Sequence, residues 1–249
     1  MPKCILVIPC YNEADRLNLQ TYGAFLDHFP SVNLLFVNDG STDQTQERLE
    51  ELSKKQSERV SILCLKHNTG KAEAIRMGML KVLKEADFVG YWDADLATPL
   101  SELKLFLDEF ERFESLQLVM GSRVNILGRN IQRKLTRHYI GRIFATLVSI
   151  LLKTPFYDTQ CGAKVFRSSK IVHELFTDTF STRWIFDVEL LQRYLNRLTV
   201  SEIEHISQLI HEVPLNNWCD ISGSKIRLWD FATACFDLMR LYLTPSQKR

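Results

Sequence analysis

This chain has no long apolar run. Its longest apolar stretches, Ile143–Leu152 and Phe231–Leu243, the second interrupted by Asp237 and Arg240, fall short of the roughly 18 residues a spanning helix needs, so no transmembrane helix is predicted. Charge of one sign is equally scarce. With 31 basic and 30 acidic residues the formal net charge is +1, and neither a basic arm nor an acidic tail is present, which argues against nucleic acid as a partner. Six cysteines (Cys4, Cys10, Cys64, Cys161, Cys219, Cys235) form no Cys-x-x-Cys pair and have no His partners at zinc spacing, so reduced thiols in a cytoplasmic protein are expected. No basic segment leads into a short apolar one at the start, so no secretory leader is expected. Internal repeats and low-complexity linkers are missing too.

What is present is a hydrophobic content of 45% over 249 residues, enough for one large α/β domain. The expected division is a domain over residues 1–225 and a C-terminal amphipathic helix over 226–249, packed on it or lying at a membrane surface. Cys4–Pro9, Leu34–Asn38, Val60–Leu65 and Phe88–Asp93 read as strands between polar turns. Helices fall between them, with Ile75, Met79, Val82 and Ala86 on one face and Leu103, Phe106, Leu107 and Phe110 on another. Strand and helix in repetition imply a mostly parallel, Rossmann-like twisted sheet flanked by helices. Further strands are expected near Leu116–Ser122, Lys164–Arg167 and Leu209–Pro214, and helices to about Leu152, over Val188–Leu198 and at the C-terminus. Ile140, Phe144, Leu147 and Leu151, like Phe231, Cys235, Leu238 and Tyr242, recur at helical spacing; core burial is expected of both sets, with a membrane surface as the alternative.

Open α/β sheets bind ligands beyond the carboxyl ends of their strands. Here the first strand ends in Pro9-Cys10-Tyr11-Asn12-Glu13 and the second in Asn38-Asp39-Gly40-Ser41-Thr42-Asp43. The third runs into His67-Asn68-Thr69-Gly70-Lys71, and the fourth ends in Asp93-Ala94-Asp95. All four tips are expected to face one crevice. Asp93 and Asp95 would repel each other without a cation, and oxygen ligands with room for phosphate and water suit Mg²⁺ or Mn²⁺. The competing reading of these two is helix capping before Pro99. Asp43 fits a helix cap, whereas Asp39 stands closer to the strand end, where it can accept hydrogen bonds from a base or ribose. Lys71 opens a helix, where anions are already favoured, and suits a phosphate contact or an ordinary surface position.

Pro9–Glu13, Val37–Asp43, Asn68–Lys71, Asp93-Ala94-Asp95 with Pro99, and Gly121-Ser122-Arg123 together resemble the family-two glycosyltransferases of GT-A fold. Asp158–Lys164, Arg183–Glu189 and Glu212-Val213-Pro214 resemble, more narrowly, the dolichyl- or polyprenyl-phosphate sugar transferases, above all the beta-glucosyl branch. Ala97 stands where the mannosyl branch commonly has Gln. The resemblance covers nearly the whole chain.

It implies an inverting hexosyltransferase that moves a sugar from a UDP-hexose, such as UDP-glucose, to a lipid-phosphate acceptor, working in the cytoplasm or peripherally at the cytoplasmic membrane face. Pro9, Tyr11, Glu13 and Asp39 would hold base and ribose; Asn68, Lys71, Ala94 and Gln160 would complete the donor site. Asp93 and Asp95 would hold the sugar-nucleotide and its metal. Arg123, at the acceptor mouth, and Arg129, Arg133 and Arg137 after it would gather an anionic head group, with a solvated helix face as the competing reading of the last three. Arg123, Asp95 and Asp187 are the candidate catalytic residues. Asp187 stands where hydroxyl-acceptor relatives carry a base, and it reads equally as the N-cap of the helix that follows. Transfer to a hydroxyl and a non-catalytic nucleotide-binding descendant are the alternatives. An aspartyl phosphohydrolase would need its Asp-x-Asp in the first strand, and a dinucleotide site would need the Gly-x-Gly-x-x-Gly that the first turn lacks.

Overall fold

A computed structural model describes residues 2–221 and 228–243. The first half alternates as the apolar runs and polar stops dictate: β1 (Cys4–Cys10), α1 (Leu19–His28), β2 (Val32–Asp39), α2 (Thr45–Lys55), β3 (Val60–Leu65), α3 (Lys71–Val82), β4 (Phe88–Trp92) and α4 (Leu103–Arg112). The second half adds β5 (Leu118–Ser122), β6 (Asn130–Gln132), α5 (Leu135–Leu152), β7 (Ala163–Arg167), α6 (Lys170–Leu175), α7 (Phe186–Leu195), α8 (Val200–Glu204), β8 (Ile210–Pro214), β9 (Asn217–Cys219) and α9 (Leu228–Leu243). The main sheet has the order β3-β2-β1-β4-β7-β5-β8, and β6 pairs with β9 in a separate ribbon.

Strands β3, β2, β1 and β4 run parallel, so their carboxyl ends lie at one edge. β7 enters antiparallel between β4 and β5. Alternate residues of each strand face opposite layers. Val7, Val37 and Tyr91 face a layer built with Ile75 and Met79 of α3, Phe144 and Val148 of α5, and Val188 and Leu191 of α7. Leu6, Ile8, Phe36 and Trp92 face the other layer with Tyr22 and Leu26 of α1, Leu49 of α2, and Phe106 of α4. Trp92 and Phe106 are fully buried with ring centres 5.3 Å apart; truncating either to Ala should cost about 3–5 kcal/mol.

Two expectations need correction. The buried seam of α5 is Phe144, Ala145, Val148 and Leu152, so Ile140 and Leu147 do not share the burial of Phe144. They lie toward an exposed apolar face that carries Leu135 (74% exposed), Tyr139 (65%), Ile143 (60%) and Ile150 (70%). The other correction concerns Asp187. Helix α7 begins at Phe186 with Ile185 as its N-cap, so Asp187 sits inside the first turn and caps nothing. In α9, Leu238 and Leu241 are buried while Phe236, Met239 and Leu243 are exposed; the side chains of Phe231, Cys235 and Tyr242 lie outside the described residues.

Candidate active site

The edge where β1 to β4 end is stitched together by short polar side chains. Asn12 accepts from the Thr42 amide (2.9 Å), the Asn12 amide donates to Ser41 Oγ (3.0 Å), and the Glu13 amide donates to Thr45 Oγ1 (2.8 Å). Asp43 accepts from the Thr45 and Ala14 amides. It therefore ties the first tip to the second, while the N-cap of α2 is Gln44 with no side-chain cap. Asp39 is buried, and its carboxylate accepts from the Thr69 and Gly70 amides (2.8 Å each) and from Thr69 Oγ1 (2.7 Å). Its charge sits at the N-terminus of α3, where the helix dipole favours it, and fixes the turn that presents Lys71.

A cleft of about 990 Å³ opens at this edge between α3, the β4 tip, α5 and the start of α7. The structure brings Lys71, Asp93, Asp95, Arg123, Arg133, Gln160 and Asp187 to its walls. Pro9, Tyr11, Glu13, Asp39, Asn68 and Ala94 lie on the adjoining tips outside that lining; Ala94 is buried and its carbonyl accepts from Tyr22 Oη at 3.1 Å. Arg129 also lies outside the lining, and the side chain of Arg137 falls outside the described residues.

Lys71 Nζ stands 2.5 Å from Asp93 Oδ1. Burial works to lower the pKa of the ammonium, but Asp93, Asp187 and Asp95 outweigh it and the pKa is raised. Burial and the neighbouring Asp93 charge push the Asp95 carboxyl up, so this pair of acids favours a cation. Asp93 Oδ1 has no aligned hydrogen bond despite its burial. No cluster of three His, Cys, Asp or Glu side chains suited to a metal occurs among the described residues. A two-carboxylate, oxygen-only donor set fits a hard divalent ion whose remaining ligands come from phosphate and water.

The far wall is basic. Arg123 is gripped by Asp158 through Nε and Nη2 (2.7 Å each) and through its backbone amide (3.0 Å), and stacks on Trp218. Burial alone would raise Asp158, yet the charge and hydrogen bonds of Arg123 hold its carboxyl down at about 2. Glu212 fixes the backbone of this segment by accepting from the Tyr157 and Asp158 amides (2.7 Å each). Arg133 has its pKa lowered, first by burial and then by Arg123. Two guanidinium groups so placed suit a dianionic ligand.

Between the walls runs the segment 158–164. Lys164 has no exposed surface, and its Nζ donates to the carbonyls of Thr159 (3.0 Å) and Cys161 (2.7 Å) and to Asp187 Oδ1 (2.6 Å). Tyr91 Oη donates to the same oxygen at 2.5 Å. Gln160 Nε2 and Thr159 Oγ1 are buried at the cleft without a hydrogen-bond partner, an arrangement that favours a hydroxyl-rich ligand. Sequence reasoning assigned no individual role to Lys164, Gly162, Asp158 or Glu212, although each lies in a motif block. Trp218 carried no signal at all.

The profile of the family described as Glycosyl transferase family 2 matches residues 5–174. The dolichyl-phosphate beta-glucosyltransferase of Saccharomyces cerevisiae is 30% identical over 242 residues, covering 90% of this chain and 69% of that protein. Its Homo sapiens counterpart is 30% identical over 253 residues, covering 96% and 74%. Among solved structures, glucosyl-3-phosphoglycerate synthase from Mycobacterium tuberculosis, in complex with Mn²⁺, UDP-glucose and phosphoglyceric acid, aligns with a TM-score of 0.68 at 16% identity, over 97% of this chain and 79% of that one. TarS of S. aureus aligns with a TM-score of 0.59 at 17% identity, over 96% and 64%. These likenesses establish the GT-A fold.

Proposed function

The chain belongs to glycosyl transferase family 2, and from that premise we propose that it transfers glucose from UDP-glucose to a dolichyl- or polyprenyl-phosphate acceptor with inversion at the anomeric carbon. One observation carries the reading: a single cleft sets the Asp93 and Asp95 carboxylates against the guanidinium groups of Arg123 and Arg133. A donor diphosphate suits the first wall and an acceptor phosphate the second. Relatives of about 30% identity that carry this activity in their names support the choice of sugar and acceptor.

In this reading Asp93 and Asp95 would hold Mg²⁺ or Mn²⁺, which would supply charge stabilisation for the departing diphosphate. Pro9, Tyr11, Glu13, Asp39, Asn68 and Ala94 shape the nucleotide end. Lys71 supplies positive charge beside the phosphates, and the Gln160 amide donates to a sugar hydroxyl. Arg123 and Arg133 orient the acceptor phosphate, with Arg129 adding to the positive field outside the cleft. A phosphate oxygen then attacks the anomeric carbon as the bond to the UDP oxygen breaks, and that electron pair leaves with UDP. The acceptor is already anionic above its second pKa near 6, so no proton need be removed. Asp187, tied to Lys164 and Tyr91, serves as a support for the site.

A lipid acceptor places the enzyme at a membrane. No helix among the described residues is long and apolar enough to cross one; the exposed apolar faces of α5 and α9 are the surfaces proposed to meet the cytoplasmic face of the membrane, with residues 1–225 as the catalytic domain and α9 packed on it through Leu238 and Leu241. The test is release of UDP from UDP-glucose with Mn²⁺ or Mg²⁺ and a short-chain dolichyl phosphate in detergent, run beside 3-phosphoglycerate and a plain sugar acceptor. A butanol-extractable glucolipid is expected. Turnover with only a soluble acceptor would overturn the lipid assignment, and absence of turnover with any acceptor would favour a non-catalytic nucleotide binder.

A further inference from the structure

Helix α5 carries a glycine, Gly141, in its first half. Glycine is the poorest helix former after proline, so its presence inside a helix calls for a steric reason. A Cβ built on Gly141 would lie 2.6 Å from Arg133 Nη2, 3.3 Å from Cζ and 3.4 Å from Nη1. These three nearest atoms all belong to one guanidinium, the far end of a flexible side chain, and no backbone of another element comes as near.

That guanidinium lines the cleft. Asp158 and Asp220 attract its charge through space without a hydrogen bond to it among the described residues, while neighbouring Arg123 has two of its nitrogens committed to Asp158. Arg133 therefore brings uncommitted donors to this wall, beside Arg142, whose Nη1 donates to the Tyr157 carbonyl (2.8 Å), and the Arg133 guanidinium lies across α5 at the one position that has no side chain. We propose that Gly141 is a positioning residue for acceptor binding, a notch in α5 that seats the Arg133 guanidinium against the acceptor's phosphate group. The inference rests on the phosphate-acceptor reading above.

The test compares Gly141→Ala, Arg133→Ala and the double variant, using UDP-glucose and a short-chain dolichyl phosphate. Gly141→Ala should raise Tm by about 2 °C, because alanine is the better helix former. The same change should raise the acceptor KM about 10-fold and leave the UDP-glucose KM and acceptor-independent UDP-glucose hydrolysis within 2-fold of the parent, because displacing a binding group by about 1 Å is costly. Arg133→Ala should raise the acceptor KM by at least as much, and the double variant should match Arg133→Ala, since the notch acts only through the arginine. A normal acceptor KM in Arg133→Ala would overturn the phosphate reading at this wall. A weakened Arg133→Ala beside an unaffected Gly141→Ala, or additive effects in the double variant, would overturn the role of Gly141 alone.

Discussion

Gly162 and Asp93 touch across the β4–β7 pair: the Asp93 amide donates to the Gly162 carbonyl at 3.1 Å, and a Cβ at Gly162 would overlap the Asp93 carboxylate. One of the two candidate metal-binding acids thus keeps its place only because its neighbour has no side chain. Gly162→Ala is expected to turn the Asp93 carboxylate aside and lower kcat/KM at least 10²-fold, as a displaced first ligand should. Steady-state kinetics with a Mn²⁺ titration checks this, and a parent-like metal midpoint would refute it.

Asp95→Asn keeps the volume and the hydrogen bond from the Ala97 amide (3.0 Å) while removing the charge a divalent ion requires. A fall in turnover of at least 10²-fold with an unchanged Tm is expected. Isothermal titration of UDP in the presence of Mn²⁺ should show the corresponding loss of metal-assisted binding; retained turnover would exclude the carboxylate pair as the metal site.

The Arg123–Asp158 pair sets an acid limb on stability. The Asp158 carboxyl is held at about 2 in the fold against about 3.9 in an unfolded chain, a gap worth about 3 kcal/mol. Because the folded pKa is the lower one, this stabilisation is complete above pH 4 and lost as pH falls from about 4 to 2. Asp158→Asn should cost about 3–5 kcal/mol at neutral pH by stranding the buried guanidinium. It should also flatten that part of the acid limb in urea melts taken between pH 2 and 5; an unaltered limb would mean that the pair contributes nothing there.

Asp187→Asn separates support from catalysis. Lys164 would keep a weaker partner for a charge with no exposed surface, and a loss of about 3–5 kcal/mol is expected. Folded protein should retain transfer to a phosphate acceptor within 10-fold, with an unchanged pH profile. A loss beyond 10³-fold at unchanged stability would instead make Asp187 the general base.

The apolar face of α5 predicts weak binding to vesicles. Replacing Leu135, Ile143 and Ile150 with serine should reduce co-sedimentation with anionic liposomes several-fold and raise the KM for a long-chain acceptor, while a short water-soluble phosphate acceptor is used as before. Equal effects on both acceptors would place the face inside the core function rather than at a membrane.

The parallel half was readable in sequence because each strand is an apolar run with a polar stop, and those stops carry Asp39, Lys71, Asp93 and Asp95. β7 was readable as a strand but not in its direction. Its buried lysine is polar in any local pattern, and the partner that neutralises it, Asp187, lies on another element. The ribbon of β6 and β9 has three residues per strand, below any detectable period. Asp39 shows the same limit: sequence placed it at the tip, but only the fold reveals that Thr69 and Gly70 occupy its oxygens. The exposed face of α5 is not legible in sequence because Ile140 and Leu147 are as apolar as the buried residues beside them, and the helix turns them outward.

The antiparallel entry of β7 also orders events during synthesis. Residues 1–122 supply four parallel strands and β5, yet β4 and β5 share no hydrogen bonds and are joined only through residues 163–167, which pair with both. The same late strand brings Gly162 against Asp93 and, through Lys164, anchors the loop bearing Gln160. A nascent chain that stops short of this strand therefore lacks the backbone that fixes the aim of Asp93, and the capacity to handle an activated sugar emerges only well past the midpoint of the polypeptide.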